Sequence, residues 1–310
     1  MSSSRPRSRI AVLSRKRSLY STARLVEAIK KRGHHPTVLD TLKCTMLLGP
    51  DGPKMHYRGA EVSDLLVAIP RIGASVTGYG VKVANHFIAM GIPVLNDPPS
   101  ITRSRDKLRA LQLLAAAGIG VPPTVMAHDG SHVQRLVEQV GGLPAIVKLL
   151  RGTQGVGVML ATTLDEVKGI VGTFYELGQE ILIQQFISEA RGRDVRALVV
   201  GDRVVGAMRR KARKGEFRAN IHRGGEGKPI RLSEEFSQVA VRAAQVVGLE
   251  VAGVDMLEGK DGPLVMELNS SPGFEGLERA TGKDIAGAII DHGIRYAASF
   301  RAARRGRPEL

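Results

Sequence analysis

Short apolar runs separated by helical stretches occupy the first hundred residues, and further on they give way to apolar runs paired around tight turns. Ile10–Leu13, Pro36–Leu39, Leu65–Pro70 and Pro93–Leu95 have strand length, while Leu19–Arg32 and Val81–Met90 between them carry helical periodicity. Strands joined through helices pair in parallel, so βαβ units are expected, with ligands gathering at the carboxyl ends of strands. Ser14–Arg15 and Arg71–Gly73 fall at that edge. A helix over Thr102–Ala117 ends at Gly118, and Pro122–Pro123 marks a boundary. Beyond it, Ala145–Leu150 and Val156–Ala161 flank a glycine-rich turn, followed by a helix over Thr163–Gly178 and a strand over Glu180–Ile187. Val195–Val200 and Arg203–Met208 flank Gly201–Asp202, a hairpin turn. A helix over Ser233–Val247 precedes a second hairpin, Val251–Leu257 and Leu264–Leu268, and a helix over Gly282–Phe300 closes the chain. The expected fold is therefore α/β with a parallel first part and an antiparallel, α+β second part.

A chain of 310 residues with 43% hydrophobic residues is long and apolar enough for two or three cores. Its one cysteine, Cys44, excludes a disulfide scaffold and a cysteine-rich zinc site. No apolar run approaches the ~18–20 residues of a membrane span, and no signal-type apolar segment follows the first arginines, so a cytoplasmic protein is expected. The formal charge is +15, of which residues 1–35 supply +9 and residues 301–310 supply +3. These ends read as solvated basic arms that touch nucleic acid. A further basic strip at 209–231 carries a local +7 and suits phosphate or carboxylate ligands. The eight histidines form no cluster.

With the second hairpin centred on Asp261, Asp255 lies opposite Glu267, and Asn269 shares the face of Glu267. Facing carboxylates repel at ~4.5–5.5 Å between Cβ atoms, which is explained if a cation lies between them. Asp, Glu and an Asn carbonyl are hard oxygen ligands suited to Mg2+ or Mn2+. Each residue alone would more simply face water; together they interrupt two apolar runs at matching spacing.

The segment Gly152–Gly157 (GTQGVG) has glycines at 152, 155 and 157 that let backbone N–H groups approach an anion. It lies between two strands, so neither the P-loop nor the dinucleotide-binding fingerprint applies, and a plain hairpin remains the alternative. Lys148, inside AIVKLL, must snorkel, pair with an acid or reach a ligand. Lys107 is a second cation, with a solvated helix face as its alternative. Arg218 and Asn220, in the basic strip, suit a transferred phosphoryl group and a metal shell. Gln184–Phe186 ends a strand and Asp194 follows a loop, an order compatible with adenine and ribose contacts. Arg71 is a candidate for a substrate carboxylate, with a surface salt bridge as its alternative.

This order of residues, with MELNSSPG at 266–273, resembles the ATP-grasp superfamily. LSRKRSLYS at 13–21, IPRIG at 69–73, RSRDKLRALQLLA at 103–115, KLLRGTQGVGV at 148–158, FRANIHRGG at 217–225 and DIAG at 284–287 are similar to the RimK family within it, over about residues 9–298. The resemblance implies a parallel α/β pre-ATP-grasp domain at 9–100 and two α+β subdomains at 101–188 and 189–300 that clasp ATP; the basic tails at 1–8 and 301–310 lie outside it. It implies that Lys107 and Lys148 hold ATP phosphates beneath Gly152, Thr153, Gln154, Gly155 and Gly157. Gln185 and Phe186 would meet adenine, Asp194 the ribose, and Arg218, Ala219 and Asn220 the phosphate end, with Arg218 and Asn220 catalytic. Asp255, Glu267 and Asn269 would bind two Mg2+ or Mn2+ ions. Gln185 departs from the glutamate expected there, and an amide oxygen still accepts from the adenine amino group.

Implied with this is ATP-dependent ligation of L-glutamate, singly or as a chain, to the C-terminal carboxylate of a small-subunit ribosomal protein through an acylphosphate. Ribosomal RNA contact through the basic tails and a homo-oligomer complete the expectation. A ligase acting on a small metabolite or carrier protein is the alternative within the enzyme class; a ribosome- or RNA-associated protein without catalysis is the alternative outside it.

Overall fold

The computed structural model describes residues 8–126, 132–150, 157–190, 192–213 and 226–305. β1 (Arg9–Leu13), α1 (Tyr20–Lys31) and β2 (His35–Leu39) form the first βαβ unit. The chain then enters a meander of β3 (Cys44–Gly49), β4 (Gly52–Tyr57) and β5 (Ala60–Val62), three strands beyond those expected from the apolar runs. These strands are half exposed and broken by Gly and Pro, so neither alternation nor an apolar run identifies them. β6 (Leu65–Pro70) returns to pair parallel with β1, giving the sheet order β2-β1-β6, and α2 (Thr77–Ala89) covers it. Val94 adds only an isolated parallel bridge to Ala68 in place of the expected strand.

The single helix expected over 102–117 is two: α3 (Pro98–Arg105) and α4 (Lys107–Ala116). Asp106 between them is extended, with ψ 102°, and its carboxylate accepts the Arg109 N–H at 2.9 Å, capping α4. β7 (Thr124–Val125), α5 (Val133–Gln139), β8 (Ala145–Leu149), β9 (Val158–Ala161), α6 (Leu164–Glu176) and β10 (Ile181–Gln185) build a four-stranded sheet ordered β7-β10-β8-β9. A capping box at Thr163 and Glu166 starts α6.

The largest sheet contains β11 (Arg193–Val200), β12 (Arg203–Lys211), β13 (Glu226–Pro229), α7 (Glu234–Val247) packed on one face, then β14 (Val251–Gly259) and β15 (Gly262–Asn269). Its order is β13-β12-β11-β14-β15. On β11, Val195, Ala197 and Val199 face α7, while Leu198 and Val200 join the core beneath the last helix. The remaining positions on that second face are Asp194 and Arg196. One face of one strand thus passes from apolar packing to charge over a few residues, as the period of two requires.

α8 (Glu275–Thr281) precedes α9 (Ile285–Arg305), where a single closing helix was expected. Gly282, at φ 66°, separates them in the left-handed region that favours glycine. α9 packs back on α1 and β6, and its Ile285, Ile289 and Ile290 share a core with Ile10, Val12 and Val67. Much of the charge assigned to the ends is structural. Arg24 donates to Glu278 at 2.8 Å and Arg32 to Asp291 at 2.5 Å, both tying α1 to the C-terminal helices. The segment 301–310 is helical as far as Arg305, with Arg301 donating to the Leu65 carbonyl at 3.3 Å. No helix among the described residues is long and apolar enough to cross a membrane.

Asn96 fastens the first domain to the large sheet. Its side-chain amide donates to the carbonyls of Val251 and Ser270 at 2.8 and 2.9 Å. Its oxygen accepts the N–H groups of Glu250 and Val251 at 2.8 and 2.7 Å. Asn96→Ala leaves these backbone groups without the partner, and a loss of about 3 kcal/mol or more is expected. Urea unfolding should show a lower midpoint with an unchanged slope.

Candidate active site

The β14–β15 hairpin sets the centre of the site. The turn is tighter than expected, with Gly259 paired to Gly262 and Met256 to Val265. A register shift beside Asp255 absorbs one extra residue and restores the pairs Asp255–Glu267 and Gly253–Asn269. The expected pairing therefore occurs, through a shorter turn and a compensating bulge.

Asp255 is 2% exposed. Arg196, opposite it on β11, donates Nε to Oδ1 at 2.7 Å and Nη2 to Oδ2 at 2.6 Å. Arg210, on β12, reaches Oδ2 of Asp255 at 3.0 Å and gives Asp194 two bonds at 2.6 and 2.8 Å. Burial works to raise the pKa of Asp255, yet the charges and hydrogen bonds of Arg196 and Arg210 hold it well below the usual carboxylate range. Glu267 has no hydrogen bond to any described residue and its side chain opens to solvent in a recess of the protein. That recessed setting and the charge of Asp255 push its pKa up, opposed by Arg196, Lys148 and Lys107.

Both lysines reach this centre from the small sheet side. Lys148 on β8 donates to Gln184 Oε1 at 2.5 Å, and Gln184 in turn donates to Thr124 Oγ1 at 2.7 Å. Lys107, at the start of α4, donates to the Leu149 carbonyl at 2.9 Å. Burial lowers the pKa of Lys148 to about 8, and the neighbouring Lys107 adds to the effect while Glu267 opposes it. Neither lysine has an acid partner within ion-pair distance among the described residues.

Gly157 adopts φ +74°, and a Cβ there would lie 2.5 Å from Leu149 Cδ1, so both backbone and packing require glycine. Gly152, Thr153, Gln154, Gly155, Arg218, Ala219 and Asn220 lie outside the described residues. Gln185 ends β10 with its N–H on the Pro123 carbonyl at 2.9 Å, and Phe186 beside it is half-buried. Asp194, expected at a ribose, is instead 6% exposed with both carboxylate oxygens bonded to Arg210. Its position on β11 faces the sheet's own arginines, and it supports Arg210. Arg71 is half-buried and donates to the Pro272 carbonyl at 2.7 Å, not to a surface acid.

Arg196 and Arg210 were not singled out in the sequence, and Gln184 was read as part of a strand end near adenine and not as the partner of Lys148. The signal for Arg196 was there in RDVRALVV, where Arg196 follows Asp194 at the strand period just before an apolar run. Arg210 lay in the basic strip at 209–231 read as suiting phosphate or carboxylate ligands, but only the pairing of β12 with β11 brings it to Asp194.

Among the described residues no three His, Cys, Asp or Glu side chains converge, so the oxygen donors available are Asp255, Glu267 and the amide of Asn269. Asn269 Oδ1 already accepts the Ser271 N–H at 2.9 Å, which fixes its direction and leaves a lone pair. A recessed, hydrogen-bond-free carboxylate across from a buried one fits a hard divalent cation. Two amines without acid partners beside it fit phosphate oxygens. Together these groups can neutralise a polyphosphate and the charge that builds as a phosphoryl group transfers.

The RimK-like ATP-grasp domain family matches residues 104–292, and the RimK PreATP-grasp domain family matches residues 8–101. A protein of Aliivibrio fischeri (strain MJ11) named probable alpha-L-glutamate ligase is 50% identical over 299 residues, spanning 96% of this chain and 99% of the relative. A protein of Hahella chejuensis (strain KCTC 2396) named probable alpha-L-glutamate ligase 1 is 53% identical over 281 residues, spanning 91% and 93%. Among solved structures, the ATP-grasp ligase PsnB complexed with minimal precursor, Mg and ADP superposes with a TM-score of 0.72 at 25% identity, covering 94% of this chain and 98% of that one. The RimK domain protein ATP-grasp from Sphaerobacter thermophilus DSM 20745 superposes with a TM-score of 0.70 at 26% identity, covering 92% and 99%. With both parts of the fold matched and its relatives spanned almost whole, the chain belongs to the RimK-like ATP-grasp family of ATP-dependent ligases.

Proposed function

We propose that this protein joins the amino group of L-glutamate to the C-terminal carboxylate of a small-subunit ribosomal protein, using ATP. The names of the relatives support glutamate as donor, and the family resemblance supports the acceptor. One juxtaposition carries the chemistry: Asp255 and Glu267 face each other across β14 and β15, with the charges of Lys107 and Lys148 felt at Glu267.

In the first step an acceptor carboxylate oxygen bonds to the γ-phosphorus, the bond from that phosphorus to the β–γ bridging oxygen breaks, and ADP leaves. In the second, the deprotonated glutamate amine bonds to the acyl carbon, the C–O bond to phosphate breaks, and inorganic phosphate leaves with the electron pair. The surplus amine proton goes to solvent. Lys107 and Lys148 hold the phosphate oxygens beneath the segment 152–157, which excludes water from the acylphosphate. Gln185 and Phe186 meet adenine, Arg218 and Asn220 meet the transferred phosphoryl group, and Arg71 meets a substrate carboxylate. Asp255, Glu267 and Asn269 would hold Mg2+ or Mn2+, which when bound screens phosphate charge. Arg196 and Arg210 keep Asp255 ionised and aimed. The basic ends, 1–8 and 301–310, contact ribosomal RNA.

Purified protein with ATP, Mg2+, L-glutamate and a peptide ending in the acceptor sequence should release ADP and add glutamyl mass to the peptide. Glutamyl transfer to a small metabolite alone would exclude the ribosomal acceptor, and no ADP release with glutamate would exclude the ligase itself. Asp255→Asn and Glu267→Gln should each reduce turnover by about 100-fold or more, since each removes charge at the phosphoryl-transfer centre. Circular dichroism should show the fold retained.

Lys148 has a folded pKa near 8, below its ordinary 10.5, so burial of its charged form costs stability at lower pH. That cost is full below pH 8 and fades as pH rises toward 10.5. Bound phosphate restores the charged form. Calorimetry of metal-free ADP binding at pH 8.5 in buffers of different ionisation enthalpy should therefore show proton uptake, with affinity falling above pH 8. Lys148→Met should abolish that uptake.

A further inference from the structure

Two arginines stand at the carboxyl edge of the first sheet without an acid. Arg71 follows Pro70 at the end of β6, where ligands collect in such sheets. Among the described residues its guanidinium donates once, to the Pro272 carbonyl at 2.7 Å, and lies 5.7 Å from the centre of the buried Phe274 ring. Arg105, the last residue of α3, donates Nη2 to the Ile72 carbonyl at 2.8 Å. Its Nε is sealed from solvent and has no hydrogen-bond partner among the described residues. Neither arginine is ion-paired among the described residues, and burial and then the charge of Arg105 lower the pKa of Arg71 to about 10. Like charges held together with most of their N–H groups unused, one of them sealed and unpartnered, are accounted for by an anion between them.

The cap at Asp106 decides which anion this is. Lys107, on one side of the cap, turns to the small sheet and Leu149, whereas Arg105, on the other, turns to the first domain and Ile72. Glu267 lies within electrostatic reach of both. The lysines therefore define one anion position and the arginines a second, and the charge of Glu267 is felt on both sides of the cap. Planar guanidinium forks match carboxylates. The acceptor carboxylate loses its charge on activation, but both carboxylates of a glutamate that attacks through its amine stay anionic to the end of the reaction.

We propose that Arg71 and Arg105 form a subsite for a carboxylate of the incoming glutamate, separate from the triphosphate site and orienting the amine toward the acyl carbon. This rests on the ligase reading above. In the full-length enzyme, Arg105→Gln and Arg71→Gln should raise KM for glutamate by about 10- to 100-fold, the loss of a charged hydrogen bond, with KM for ATP changed by less than about twofold. Arg105→Lys should recover part of it. Wild-type enzyme should use glutamine or isoglutamine poorly, whichever lacks the held carboxylate, and Arg105→Gln should narrow that preference. Thermal unfolding of each variant separates misfolding from a local loss, and the wild-type amide comparison needs no variant. Unchanged KM for glutamate, a rise in KM for the acceptor instead, or equal wild-type use of glutamate and both amides would overturn the subsite alone. Wild-type enzyme that releases no ADP with glutamate would overturn the ligase reading and the subsite with it.

Discussion

Two carboxylates held opposite each other on neighbouring strands are the constraint around which this protein is organised. Repulsion between Asp255 and Glu267 has to be offset, and the large sheet offsets it from within. Arg196 bonds both oxygens of Asp255, Arg210 bonds Asp255 and Asp194, and the buried charges form a closed set. Glu267 is left outside that set, without a hydrogen bond to the described residues and open to the recess. The asymmetry separates the two roles: one carboxylate is ionised and anchored, the other is available. Truncating either arginine would leave a buried charge unbalanced, which is why the pairs are better regarded as part of the site than as stabilising additions.

Supporting this centre requires a sheet buried on both faces. Along β11 the residues facing α7 are uniformly apolar, whereas the other face begins with Asp194 and Arg196 and continues with Leu198 and Val200. The apolar portion of that second face packs with the C-terminal helices against the first domain. The recess is thus the place where the same face stops being covered. Asn96 and the Arg24–Glu278 and Arg32–Asp291 pairs hold the two domains in the relation that leaves it open. The cap at Asp106, which divides a helix that could have run on, directs Arg105 and Lys107 to different domains across the recess.

Much of the architecture was legible because it rests on local periodicity. The βαβ start, both hairpins and the helix on the large sheet follow from apolar spacing and turn residues. The meander after β2 was not, since half-exposed strands with Gly and Pro carry no clean period. The pairing of Asp255 with Glu267 was inferred with the wrong turn centre; a tighter turn and a bulge beside Asp255 cancel, a coincidence of geometry that residue counting cannot detect. Asp194 shows the limit most directly. Its place in the order of motifs suggested a ribose, and only strand pairing shows that Arg210 bonds it.

What the chain carries in one dimension is therefore its class of fold and the candidates for its site: a glycine-rich segment, a lysine inside an apolar strand, and oxygen donors at a two-residue spacing. These are local properties, set by side-chain periodicity and the chemistry of single residues. Which arginine balances which carboxylate, which acid is left free, and which cations face one another across the recess depend on contacts between residues far apart in the chain. Arg196 meets Asp255 across fifty-nine residues and Arg71 meets Pro272 across two hundred and one. Only the packing of sheets and helices in three dimensions brings such residues together, because electrostatic partnership follows distance in space and not position in sequence.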